Sequence, residues 1–162
     1  MFQLPFPVHD VNASSGSKDL GDLPEWDLSD LYRSQDAPEL SRDLQWLDQE
    51  CASFAADYEG KLAHLDAEEM LNCVLRNERI NTIAGRIMSF AGLRYYQLTV
   101  DGDRTKFMSD MQEKITNFTT PLVFFTLELN RIDDATLQAL LDANSALARY
   151  QPVFDRIRAM KP

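Results

Sequence analysis

Histidine and cysteine are the scarcest chemistry-bearing residues in this chain, two of each in 162. Neither His9 nor His64 is followed by glutamate, and neither has a second histidine one helical turn away. A zinc site within the chain is therefore not expected. Glu-x-x-His pairs, which di-iron bundles need on facing helices, do not occur. There is no glycine-rich phosphate loop. Serine or cysteine nucleophiles lack a base, because His64 is the one histidine that falls in a region expected to fold. Six glycines and seven prolines are too few for a sandwich with many tight turns. No apolar run approaches the roughly 18 residues of a membrane helix. The opening MFQLPFPVHD has neither a basic flank nor a small-residue cleavage site, so no signal peptide is read and the cytoplasm is the expected compartment.

Basic residues are nearly missing from the first 60 positions: Lys18, Arg33 and Arg42 stand against thirteen acidic groups. Residues 61–162 hold thirteen of each sign, so the whole net charge of −10 arises in the first 60. No basic face is available to neutralise phosphates, which excludes nucleic acid as an expected partner. The acidic block is read as a solvated helix face plus a disordered leader.

What remains is 44% hydrophobic and 26% charged, ordinary for one folded domain. Residues 1–21 read as the leader, with two prolines, the run Asn12 to Ser17 and no periodicity. Residues 22–162 read as a helical domain. Trp26, Leu28, Leu31 and Tyr32 are expected to anchor its first segment as one helical turn. A first helix is predicted over Pro38–Tyr58, capped by Asp36 and stopped by Gly60. Its stripe Leu40, Leu44, Leu47, Cys51, Phe54, Tyr58 is spaced 4, 3, 4, 3, 4. A second helix is predicted from Asp66, with Glu69 completing a capping box, to about Val100. Its apolar side is Leu71, Val74, Ile80, Ile83, Ile87, Phe90, Tyr95 and Leu98. At about 1.5 Å per residue it would be about 50 Å long, more than a compact domain of this size spans.

The third helix pairs with it. Phe107, Met111, Ile115, Phe118, Leu122, Phe125 and Leu129 share a face, and Pro121 predicts a bend near Asn117–Thr120. A short helix over Asp134–Asp142 follows, then one from about Ala146 carrying Leu147, Tyr150, Val153, Phe154 and Ile157. No strand-like alternation of useful length occurs. The fold class is all-α, a long antiparallel helix hairpin with shorter helices packed along it. Cys51 and Cys73 fall on apolar stripes and read as small core residues; a disulfide would require their helices to pack in register.

Several features invite a functional reading and have a structural one beside it. Glu68-Glu69 and Asp133-Asp134 are paired carboxylates, but each pair opens a helix. Arg76, Arg79, Arg86 and Arg94 could meet a carboxylate ligand, or pair with Glu78 and the acidic first helix. Tyr95-Tyr96 could stack on a peptide, or Tyr95 could pack in the hairpin. No catalytic, cofactor-binding or metal-ligating residue is assigned.

Five segments carry a resemblance. Trp26-Asp-Leu-Ser-Asp-Leu-Tyr32, Phe54 through Tyr58-Glu-Gly-Lys-Leu62, Ser89-Phe-Ala-Gly-Leu93, Phe124-Phe125-x-x-Glu128-Leu129, and Ala148-Arg-Tyr150 with Phe154, Ile157 and Arg158 recur in order and spacing. Together they resemble the amino-terminal helical region of the oligoendopeptidase F group of M3 metallopeptidases. The resemblance implies a two-lobed zinc endopeptidase of oligopeptides, with zinc bound by a downstream catalytic domain and a water activated there. The chain would be the amino-terminal lobe: inactive alone, binding no zinc, walling a peptide channel, with that catalytic domain as partner. The apolar pattern running to Met160-Lys161-Pro162 reads as cut off, and Met88, Leu93, Tyr96, Met108, Val123 and Phe124 exceed what one seam can bury. A bare patch and self-association are therefore expected. A free-standing helical interaction module is the alternative.

Overall fold

The structure is a computed structural model describing residues 25–159. The leader over 1–21, His9, and the terminus Met160-Lys161-Pro162 lie outside the described residues. Within them the chain is all-α, with no strand.

The chain enters through a turn in which the Leu31 and Tyr32 amides donate to the Leu28 carbonyl. Tyr32 is buried, whereas Trp26, expected as an anchor, is exposed. Helix α1 covers Pro38–Tyr58, as its spacing predicts, with Pro38 in the first turn. Asp36 does not cap it: Ala37 occupies the N-cap with no side-chain bond, and Pro38 leaves one fewer amide to satisfy. Gly60 has φ +79°, the left-handed conformation that ends helices and that a Cβ disfavours. A 3-10 turn, Leu62–His64, leads to α2.

Helix α2 runs Ala67–Gln97. Asp66 accepts from the Glu68 and Glu69 amides while the Glu69 carboxylate accepts from the Asp66 amide, so the capping box forms. The helix stops three residues before Val100. Asp101 must be extended to cap α3, where its side chain accepts from the amides of Asp103 and Arg104, and the chain turns at Leu98–Val100 to allow it. Leu98, placed on the apolar stripe by spacing, therefore lies past the helix end and is exposed.

Helix α3, Gly102–Thr119, packs on α2: Phe107 meets Phe90 edge-on at 5.9 Å, and Arg104 donates to the Arg94 carbonyl. The break falls at Pro121, where a 3-10 turn, Thr120–Leu122, separates α3 from α4, Val123–Leu129. Thr119 and Thr120 bond back to the carbonyls of Ile115 and Thr116, a pattern that bends helices. Helix α5, Asp134–Ala143, starts on the Asp133 cap. The last predicted helix is two pieces, α6, Ser145–Ala148, and α7, Gln151–Ala159. Pro152 has no amide to donate and clashes with a preceding turn, so it begins a helix rather than continuing one.

The core joins all of these. Leu40, Leu47, Cys51 and Phe54 of α1 meet Cys73, Ile80, Ile87 and Phe90 of α2, with Phe124, Phe125 and Leu129 of α4 and Phe154 of α7. No buried residue is polar or charged among those described. Both cysteines are free and buried, and burial pushes their thiols up to about 11 (Cys51) and about 12 (Cys73).

Candidate functional site

The arginine ladder of α2 is mostly structural. Arg76 bonds Glu50 and Asp57 at 2.8 Å each and lies over the rings of Phe54 and Tyr58. Burial works against its charge, but the two carboxylates outweigh that and hold it above the usual arginine range. Arg79 lies over Trp46, and Arg86 bonds Asp43 and the Leu31 carbonyl while stacking on Tyr32 at 4.3 Å. As α2 advances, its partners on α1 run backwards from Asp57 to Asp43, so the two helices are antiparallel. Glu78 does not join the ladder; its carboxylate accepts from the Tyr150 hydroxyl at 2.7 Å. Arg94 is the exception among the four, with its Nε buried and unpartnered among the described residues.

The paired carboxylates follow their helix-start reading. Glu69 belongs to the capping box, Asp133 caps α5, and Asp134 pairs with Arg158. Tyr95 and Tyr96 meet edge-on at 5.2 Å. Tyr95 is half-buried but does not pack on the core as spacing suggested, and Tyr96 is 68% exposed.

The five segments that carry the resemblance meet one another. Tyr32 of the first packs edge-on against Phe90 of the third at 5.4 Å, and its hydroxyl donates to Asp43 at 2.6 Å. Burial, then that bond, raises the Tyr32 hydroxyl above the ordinary tyrosine range. Phe54 of the second lies 5.9 Å from both Phe124 and Phe125 of the fourth. Glu128 of the fourth accepts from the amides of Gly60 at 2.7 Å and Leu62 at 3.3 Å, bridging 68 and 66 residues of chain. Arg158 of the fifth donates to the carbonyls of Leu129 and Ile132. These residues hold the helices together; none of them faces another as nucleophile, base or ligand. The roles of Glu128 and Arg158 were not readable from spacing, because a carboxylate or guanidinium bonding distant backbone leaves no periodic signal.

An open concavity among the described residues lies between α2, α4 and α7. It encloses ≈ 940 Å³ and is floored by Val74, Leu122, Phe125, Leu129, Phe154 and Ile157. Asn77, Glu78, Asn81, Thr82, Thr126 and Arg156 form the rim, with Val123 and Val153 on the lip. Lining positions on α2 (74, 77, 78, 81) and α4 (125, 126, 129) repeat at one helical turn, and Leu122 of the 3-10 turn joins them.

Residues 128–162 match the family model of Oligopeptidase F, the amino-terminal region of M3 peptidases. The match begins at Glu128 and takes in the whole fifth segment; the first three segments lie before it. No curated protein and no solved structure matches the chain. The matched stretch is 35 of the 162 residues. A zinc centre of the kind the resemblance implies has no fitting donor set among the described residues. No group of three or more His, Cys, Asp or Glu side chains converges among them, and His64 is exposed on the 3-10 turn. No helix among the described residues is long and apolar enough to cross a membrane.

Proposed function

We propose that this chain is the amino-terminal, channel-wall lobe of a zinc-dependent oligopeptide endopeptidase, inactive alone and completed by the catalytic domain of the same polypeptide in the cytoplasm. The observation that carries the reading is the Oligopeptidase F match at residues 128–162. One feature supports it. The residues carrying the family resemblance are spent on locks and core contacts, such as Glu128 to the Gly60–Leu62 backbone, which suits a part selected for shape.

In this role the lobe contributes walls. A rigid helical surface beside a catalytic domain limits entry to unfolded or short peptides and keeps folded proteins away from the reacting bond. The experiment is reconstitution. The 162-residue chain, assayed alone with zinc on a quenched fluorescent peptide, is expected to be inactive. The catalytic domain alone should lose its discrimination between short peptides and folded proteins, and mixing the two should restore it. Chelator-sensitive cleavage by the chain alone would refute the reading. A catalytic domain whose selectivity ignores the chain would favour the free-standing interaction module instead.

A further inference from the structure

We propose that the first eight residues of this chain, Met1-Phe-Gln-Leu-Pro-Phe-Pro-Val8, dock on the aromatic end of α2, where Trp26, Tyr95 and Tyr96 stand. The leader thereby covers apolar surface beside the point where it joins the helices. The contact lies within the chain and goes beyond the role proposed above.

Three observations choose this surface and its occupant. The first is direction. Along α2 the partners supplied by earlier chain run steadily backwards: Arg76 takes Asp57 and Glu50, Arg86 takes Asp43 and the Leu31 carbonyl, and Gln97 donates to the Trp26 carbonyl at 2.9 Å. The chain preceding α1 is therefore laid along α2 to its last residue, and residues 1–24 are joined to it there. The second is exposure. Eight large apolar residues are exposed among those described, and four of them, Trp26, Tyr96, Leu98 and Val100, belong to this end. The third is composition. Gln3 is the one polar side chain among residues 1–8, and none is charged. Pro5 and Pro7 fix their own φ and push Leu4 and Phe6 away from the helical region, so this segment has little conformational freedom to lose on docking. The prolines also withhold amides that a strand ladder needs, which leaves side-chain contact as the way to bury Phe2, Leu4 and Phe6. Proline-rich segments are recognised in this way by exposed aromatic rings.

The tether permits the contact. Positions 9–25 connect Val8 to Trp26 and include the run Asn12 to Ser17. A polar linker of that length spans about 20–25 Å on average, which holds the segment at high local concentration over the end of α2.

The test is nuclear magnetic resonance on the whole 162-residue chain at low concentration. Nuclear Overhauser contacts are expected from the rings of Phe2 and Phe6 to those of Trp26 and Tyr96. The F2S/F6S variant should shift the Trp26 indole signal and the amides of Tyr96, Leu98 and Val100, with its helical signal unchanged. Trp26→Ala removes an exposed side chain, and should move the Phe2 and Phe6 signals to those of a synthetic MFQLPFPV peptide. An F2S/F6S spectrum that differs from the unsubstituted chain only within residues 1–24 would overturn the inference. Shifts at Val123 and Val153 in place of Tyr96 and Val100 would assign the segment to the trough between α2, α4 and α7, and overturn it too. So would contacts found only between differently labelled chains, which would give the surface to a second copy. None of these outcomes bears on the reconstitution of peptidase selectivity.

Discussion

Asp133 is exposed, yet the Thr136 hydroxyl and then the Thr136 amide hold its carboxyl below the usual carboxylate range. The folded state therefore takes up this proton less readily than the unfolded chain. Its contribution is present above the unfolded value of 3.8 and is lost as pH falls through the lower folded value. Asp133→Ala should destabilise the protein at pH 6, because the Thr136 amide loses its N-cap acceptor. The difference from the unsubstituted protein should shrink below pH 4, read as converging urea midpoints; a pH-independent difference would show the cap is not the cause. Glu128 makes a longer-range bond, and its substitution should be felt farther away. Glu128→Ala leaves the Leu62 amide part-buried without an acceptor, which costs about 1–3 kcal/mol. Faster hydrogen exchange at Gly60 and Leu62 should accompany the loss. Unchanged exchange there would mean that water replaces the carboxylate.

Helices α2, α3, α5 and α6 begin on a capping side chain, α1 begins on Pro38 without one, and α2 stops where α3 needs its own start. The Asp66–Glu69 box and the Pro38 start are local events, and both were legible. The α2 end was not, because what ends it is the Asp101 cap of the following helix. Along α3 the periodic stripe names the inward side but not how deep each position lies. Met111 is buried while Phe107, Ile115 and Phe118 are half-buried, because α3 covers the edge of the core. Ile87→Ala should therefore cost about 2–5 kcal/mol, and Phe118→Ala less than the roughly 3–5 of a fully buried phenylalanine. Thermal melts of the two variants check the order; a larger loss at Phe118 would place the centre of the core nearer α3.

For the whole molecule, the apolar surplus counted from the sequence is part buried and part exposed. Phe124 is buried against Phe54, and Met88 and Met108 pack on the core, leaving Tyr96 and Val123 exposed from that set. Val153 and Leu127 are exposed too, on helices where spacing alone did not separate lip from core. The chain alone is expected to bind a hydrophobic dye at the trough, with the signal suppressed by the catalytic domain and reduced in V123K/V153K. Dye binding that survives both would locate the sticky surface near Trp26 and Tyr96 instead.

The sequence by itself determined the all-α class, the bounds of α1, the capping box, the break at Pro121 and the resemblance to oligopeptidase F. Each of these depends on residues within a few positions of one another, or on motif order along the chain. Tertiary structure decided which of the four arginines are paired, which residues lock distant loops, and where an apolar trough stays open. Those outcomes depend on distances between helices: Arg76 finds Glu50 and Asp57 only because α1 and α2 run antiparallel, and Glu128 reaches Gly60 across 68 residues. Periodicity states which side of a helix turns inward, and packing alone states what it meets there.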